Sequence, residues 1–111
     1  LDLPEGEEVF SKVERMPEFP GGEVALRKFI ASSVKYPANA VKNGIQGKVY
    51  VSFVIGKEGL VKNVKVARGV DPYLDREAIR VIRGLPSWKP GMDKDSLVNV
   101  SYTVPINFVL R

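Results

Sequence analysis

Thirteen residues near the carboxyl end constrain this chain more than any other stretch. Val98, Val100, Tyr102, Val104, Ile106, Phe108 and Leu110 alternate with Asn99, Ser101, Thr103, Pro105, Asn107 and Val109. A period of two marks a β-strand with one face buried and the other turned to solvent. Pro105 sits in the middle and has no backbone N–H, so the strand is expected at a sheet edge, where one row of amides needs no partner. An unpaired edge is either an aggregation hazard or a docking rail for an extended segment of another chain.

The chain has 111 residues, 44% hydrophobic and 27% charged, the size and composition of one globular domain with a modest core. It contains neither a run of eighteen apolar residues nor a secretory leader. It opens at Leu1 without a methionine, from which we expect a piece of a longer protein with anchor and targeting information upstream. Cysteine and histidine are both absent. That removes thiol nucleophiles, disulfides, imidazole bases and the usual Cys or His metal sites. No catalytic residue, metal site or cofactor is therefore assigned, and the chain is not read as an enzyme. Lack of cysteine fits an oxidising compartment and arises equally by chance in small cytosolic domains.

Charge is unevenly distributed. Residues 1–23 hold seven acidic and two basic side chains, a net of −5, and the remainder holds fifteen basic and six acidic, a net of +9. An acidic lead-in beside a basic body reads either as ordinary solvated surface or as steering of an acidic partner.

Along the chain, 1–18 reads as a linker or N-terminal extension, in which Val9 to Val13 forms an added strand or plain coil. The breaker cluster Pro17, Pro20, Gly21 and Gly22 precedes a helical spacing of Leu26, Phe29, Ile30 and Val34, predicting a helix from Glu23 to Ser33 that closes before Tyr36-Pro37. Pro37 opens a second, short helix capped by Gly44. Val49, Val51, Phe53 and Ile55 alternate up to the turn Gly56-Lys57-Glu58-Gly59, and Leu60 to Arg68 returns as the second arm of a hairpin. A third helix is punctuated by Asp71 as N-cap, Pro72 in the first turn and Gly84 at the end, with Leu74, Ala78, Val81, Ile82 and Leu85 as its apolar stripe. Asp71 and Asp75 resemble a catalytic carboxylate pair only superficially, since capping and the helix dipole already require acids there. Trp88 is placed over one end of the core, and Met92 to Ser96 reads as a polar loop leading into the last strand.

The expected architecture is a two-layer α+β domain over 19–111, a three-stranded antiparallel sheet with helices on one face. The last strand is expected beside one hairpin strand, with its other side exposed.

Six short motifs then carry a resemblance: Tyr36-Pro37-Ala38-Asn39-Ala40, Gly44-Ile45-Gln46-Gly47-Lys48-Val49, Gly59-Leu60-Val61, Arg68-Gly69-Val70-Asp71, Trp88-Lys89-Pro90-Gly91 and Val104-Pro105-Ile106-Asn107-Phe108. In this order and spacing they resemble the TonB C-terminal domain family over Phe19 to Leu110. The lead-in from Met16 to Gly22 resembles the form found in Bacteroidota-type bacteria. The resemblance implies a periplasmic domain of an inner-membrane-anchored energy transducer, working with an ExbB/ExbD-type motor on TonB-dependent outer-membrane transporters. It also implies that the transporter's N-terminal TonB box is captured as an added strand along Val98, Asn99, Val100, Ser101, Tyr102, Thr103, Val104, Pro105, Ile106, Asn107 and Phe108. A secondary contact is implied at Ser32, Ser33, Val34 and Lys35, where this chain departs from the family's glutamine and proline character.

Two other functions are compatible with parts of this pattern. The same fold can form the extracytoplasmic tail of a membrane sensor metallopeptidase of the antirepressor class, which upstream sequence with a His-Glu-x-x-His motif would reveal. A pI near 9.4, with Tyr50, Phe53 and Tyr102 on strands, raises a basic nucleic-acid-binding module. Phe53 and Tyr102 fall on apolar parities, however, leaving few aromatics for base stacking, so no nucleic-acid partner is assigned. The open edge also permits strand exchange between two copies.

Overall fold

A computed structural model describes residues 2–111. Its elements, in order, are β1 (Val9–Phe10), α1 (Gly22–Ser33), α2 (Ala38–Lys42), β2 (Gly47–Ile55), β3 (Val61–Arg68), α3 (Pro72–Arg83), β4 (Gly91–Asp93) and β5 (Ser96–Phe108). The sheet order is β1-β5-β2-β3, with β4 paired to β5 outside that path. The class is the expected α+β, but there are five strands where three were expected, and the β1–β5 pair is parallel.

Local chemistry accounts for the helices. Gly21, at φ 87, takes the left-handed conformation that turns the chain into α1, and Glu23 sits in the helix's first turn. Pro37 caps α2 from an extended conformation. The Asp71 carboxylate accepts hydrogen bonds from Tyr73 N at 2.9 Å and Leu74 N at 3.4 Å, and Asp75 Oδ1 accepts from Val70 N at 2.9 Å. Asp71 thus serves amides that the first turn of α3 would otherwise leave unpaired, and Asp75 reaches back to an amide just ahead of the cap.

The β2–β3 hairpin closes through Gly56 and Gly59, with Gly59 at φ 87. An L side chain at Gly59 would run into the Trp88 carbonyl. This tight contact lets Trp88 N donate to Gly59 O at 2.8 Å and pins the α3–β4 connection to the hairpin turn.

The main core lies between the sheet and the helices. Val49, Val51, Phe53 and Ile55 of β2 meet Leu26 and Ile30 of α1 and Leu74, Ala78, Val81 and Ile82 of α3. Trp88 closes one end, edge-on to Phe19 at 5.5 Å and to Tyr102 at 5.2 Å. Its Nε1 has no partner among the described residues.

The long strand differs from its sequence reading in two respects. Val104, Ile106 and Phe108 join the main core, whereas Val98 and Val100 form a second, smaller cluster with Val13 and Phe10. Thirteen residues twist too far for one helical layer to cover the whole strand. Leu110 lies beyond the strand's end. The expected polar loop from Met92 to Ser96 is instead a tight hairpin: Gly91, Met92 and Asp93 pair with Val98, Leu97 and Ser96, and Lys94 and Asp95 turn at φ 50 and 65. Two consecutive left-handed residues twist as the flanking strands do, and so close a two-residue turn.

Candidate functional site

The strand proposed as a docking rail is β5, and its two flanks differ. One flank pairs antiparallel with β2 in unbroken register, from Val100 opposite Ile55 to Phe108 opposite Gly47. Pro105 lies opposite Tyr50 within that run. A proline in an uninterrupted ladder belongs where its nitrogen needs no partner. By the alternation of strand amides, Ser101, Thr103, Pro105 and Asn107 then direct their backbone groups away from β2, and Pro105 leaves a gap in that row of donors.

The other flank is covered only at its beginning. Asn99 and Val100 pair there with Val9 and Phe10 of β1, while β4 pairs with Ser96–Val98, ahead of the point where the β2 ladder begins. Among the described residues, no strand pairs with the outer side of Ser101–Phe108. The uncovered side expected of the whole strand is thus confined to eight residues, in which Thr103, Pro105 and Asn107 are exposed and Val104, Ile106 and Phe108 are buried.

Residues 2–18 pack onto the sheet. Asp2 Oδ1 accepts from Asn63 N, and Leu3 N donates to Asn63 Oδ1 at 2.9 Å, at the opposite edge of the sheet from β1. Glu14 Oε1 accepts from Lys94 N at 2.6 Å. Arg15 and Glu18 bridge to Met92 and Lys89. Part of the acidic lead-in is therefore engaged by the domain's own amides.

Asn99 is central to this arrangement. It is only 2% exposed, its Oδ1 accepts from Lys57 N at 3.2 Å, and its Nδ2 donates to Glu8 O at 3.1 Å. One side chain thereby ties the β2–β3 turn, β5 and the N-terminal arm together. Sequence reasoning placed Asn99 only as one step on the rail. Its type was the available signal, since asparagine is depleted in strands unless its amide has fixed partners.

Beside the free edge lies α1. Glu23, Leu26, Arg27 and Ile30 of that helix, with Val104 and Pro105 of β5, line a cleft of about 260 Å3. Glu23 accepts a long hydrogen bond, 3.5 Å, from the Tyr102 hydroxyl. Burial, then the nearby Glu23 carboxylate, push the Tyr102 phenol above its ordinary range. Tyr102 packs on Phe53 at 5.8 Å, and Phe53 is itself buried.

Ser32, Ser33, Val34 and Lys35 lie at the end of α1 and just beyond it. Ser33 O accepts from the Arg80 guanidinium at 2.9 Å, and Lys35 N donates to Glu77 Oε2 at 2.7 Å. The bidentate bond from Arg80, opposed in part by burial, holds the Glu77 carboxyl below the usual carboxylate range. The next residue, Tyr36, is edge-on to Phe108 at 5.6 Å, so this turn stands at the C-terminal end of β5. The two candidate contact regions are thereby brought together. Among the described residues there is no cluster of acidic side chains arranged to hold a metal ion, and no helix is long and apolar enough to cross a membrane.

Comparison with known proteins places this geometry. Residues 32–110 match the family model described as the Gram-negative bacterial TonB protein C-terminal. The chain is 34% identical over 84 residues to Protein TonB of Haemophilus influenzae, covering 72% of this chain and 31% of that protein. It thus spans about a third of the relative's length. Among solved structures, it is similar to two solution structures of the Helicobacter pylori TonB C-terminal domain, both 27% identical and covering 79% of this chain. Their TM-scores are 0.62 and 0.58, and they are covered over 79% and 92% of their own lengths.

Proposed function

The chain belongs to the TonB C-terminal domain family, and from that membership and the open edge of β5 we propose that it captures the N-terminal TonB box of an outer-membrane transporter as an added strand. The observation that carries this reading is the run Ser101–Phe108, which has a partner strand on one side only. On this reading the domain is periplasmic and belongs to an inner-membrane-anchored transducer. An ExbB/ExbD-type motor supplies the work, drawn from the proton gradient, and the domain itself performs no catalysis.

Main-chain pairing suits a pulling device. Each backbone hydrogen bond contributes only about 0.5–1.5 kcal/mol net in water, so no single bond holds the visitor. Several bonds loaded together along a strand share tension, and the complex still dissociates when the load ends. Tension reaching β5 passes into the nine-residue ladder with β2 and from there into the core. Ser32–Lys35, at the far end of the strand, are proposed as a secondary contact for the transporter.

Thr103→Pro tests the reading directly. Thr103 shares the outward parity of Pro105, so the substitution removes a donor from the open side and leaves the β2 ladder intact. The variant is expected to keep the native amide spectrum and to lose binding of a TonB-box peptide from a candidate transporter. Unchanged affinity would reject strand pairing. Chemical shifts mapped with the same peptide should move along Ser101–Phe108 and spare the outer edge of β3.

A further inference from the structure

The strands β2, β3 and β5 contain no acidic residue, and all four of their charged side chains, Lys48, Lys62, Lys65 and Arg68, are cationic. Register puts the four on one face. Tyr50 lies opposite Arg68, Ser52 opposite Lys65 and Val54 opposite Lys62, and these β2 positions, with Lys48, alternate with the core residues Val49, Val51, Phe53 and Ile55. Paired strand residues share a face, so the cations point away from the helices. Lys62 stands 4.0 Å from Glu58, whereas Lys48, Lys65 and Arg68 are exposed and belong to neither ion pair among the described residues. Protection of an open edge accounts for cations on β3 but not for Lys48, whose strand is paired on both sides. The acidic N-terminal arm is attached at Asn63 and Asn99, near the β2–β3 turn and away from the strand ends that carry Lys48 and Arg68.

We propose that this open face of the sheet is a contact surface for the anionic headgroups of a lipid bilayer. Its chemistry suits a planar polyanion better than a protein. Ser52, Thr103 and Asn107 are polar, Tyr50 presents a half-buried phenol, Val54 is buried, and the face lacks the cluster of exposed aliphatic side chains that a protein partner covers. A tyrosine among cations matches the headgroup level of a membrane. Each cation gains from an anionic surface only within about one Debye length, roughly 8 Å at physiological salt. Even the smallest dimension of the molecule, 19 Å, is more than twice that, so the side that faces the lipid decides the attraction. Laid down on this face, the domain keeps its helices in water and its β5 edge unobstructed along the surface. The proposal stands apart from the strand-capture reading, and either can fail alone.

The test uses the whole chain and sedimentation with vesicles of phosphatidylcholine, either pure or mixed with phosphatidylglycerol. The chain is expected to bind only the mixed vesicles, and less as salt rises from about 50 to about 300 mM. Two triple variants carry the same net charge: Lys48→Gln with Lys65→Gln and Arg68→Gln on the sheet face, and Arg27→Gln with Lys28→Gln and Arg76→Gln on the helices. All six side chains are exposed, so both variants should keep the native amide spectrum. The sheet-face variant should lose roughly tenfold or more in vesicle affinity, within what three surface cations contribute, and the helix variant less than about threefold. Equal losses would show that net charge alone attracts the chain and would overturn the assignment, as would failure of the unaltered chain to bind mixed vesicles. Tighter binding to a soluble glutamate-rich peptide than to vesicles at equal charge concentration would overturn it too, by giving the face to a protein.

Discussion

At the scale of single residues, close contacts and satisfied polar groups explain most of what can be tested. Gly59 combines φ 87 with a carbonyl of Trp88 where a Cβ would lie. Gly59→Ala should therefore cost clearly more than the roughly 1 kcal/mol typical of a substitution, with a lowered denaturation midpoint as the readout. Trp88 fills one end of the core but buries an indole N–H without a partner among the described residues. Trp88→Ala should cost about 3–5 kcal/mol, whereas Trp88→Phe should cost much less, because it removes the unpaired donor along with part of the ring. Glu77 makes its bidentate pair with Arg80 in the folded state, and its carboxyl is held below the usual range. The stability this contributes is complete above the unfolded-state pKa of a glutamate and is lost as pH falls through the lower folded value. Glu77→Gln should flatten that part of the acid-denaturation profile; an unchanged profile would show that the pair carries no pH dependence. Asp71, Asp75 and Asn99 make the complementary point. The capping expected of Asp71 and Asp75 is what they do, and Asn99, read only as one position on the docking strand, holds a backbone amide and a carbonyl as well.

At the scale of elements, β5 has two halves with different duties. From Ser96 to Val100 it is flanked by β4 and β1 and packs in the smaller apolar cluster; Ser101 still reaches β1 through its hydroxyl on Phe10 O, and beyond it no strand pairs with the outer flank among the described residues. The division follows from the N-terminal arm, which ends its pairing at Phe10. Two residue pairs, the Asn99 amide and a hydrogen bond from the Ser101 hydroxyl to Phe10 O at 3.3 Å attach β1 to β5, against nine residue pairs between β2 and β5, so the β1 contact should open more readily. Hydrogen exchange should find the amides around Val9, Phe10 and Asn99 much less protected than those of Val49 and Val51. Asn99→Ala should loosen the arm further and leave the amides of Ser101–Phe108 unchanged. The short β4–β5 hairpin depends on Lys94 and Asp95, neither of which is the glycine or asparagine that favours such a turn. Lys94-Asp95→Asn-Gly should raise stability by several tenths of a kcal/mol or more.

At the scale of the whole molecule, the sheet has two outer edges protected differently. β3 presents Lys62, Lys65 and Arg68, a bulged ladder and Asn63 at φ 53, all of which discourage pairing with a second chain. β5 from Ser101 to Phe108 has only Pro105 as a deterrent. The molecule, about 50 × 30 × 19 Å, is thus asymmetric in where it accepts a strand. Removal of residues 2–10 would free Asn99 and Val100 and extend the bare edge. The shortened chain should be less stable and should self-associate with rising concentration in sedimentation experiments, since the lengthened edge of one copy can pair with that of another. Monomeric behaviour at high concentration would show that the edge stays guarded without the arm.

Much of this was written in local sequence. Alternation marked β2 and β5, helical spacing and caps marked α1 and α3, and Pro105 marked a strand with an unpaired side, because these signals depend on each residue and its near neighbours. Six ordered motifs were enough to indicate the family. What the sequence could not decide was which long-range partners meet. Residues 1–18 read as a linker or N-terminal extension in which Val9 to Val13 could be an added strand or plain coil, because no local pattern decides between the two; Val9-Phe10 becomes a strand only when a prepaired β5 offers it a ladder. Lys94-Asp95 read as loop because its left-handed turn is imposed by the strands it joins. The length of the bare edge, the clasp at Asn99 and the cleft beside α1 likewise exist only once segments up to about ninety residues apart are packed together. Local preference determines the elements, and competition for the same edge determines which part of it remains open.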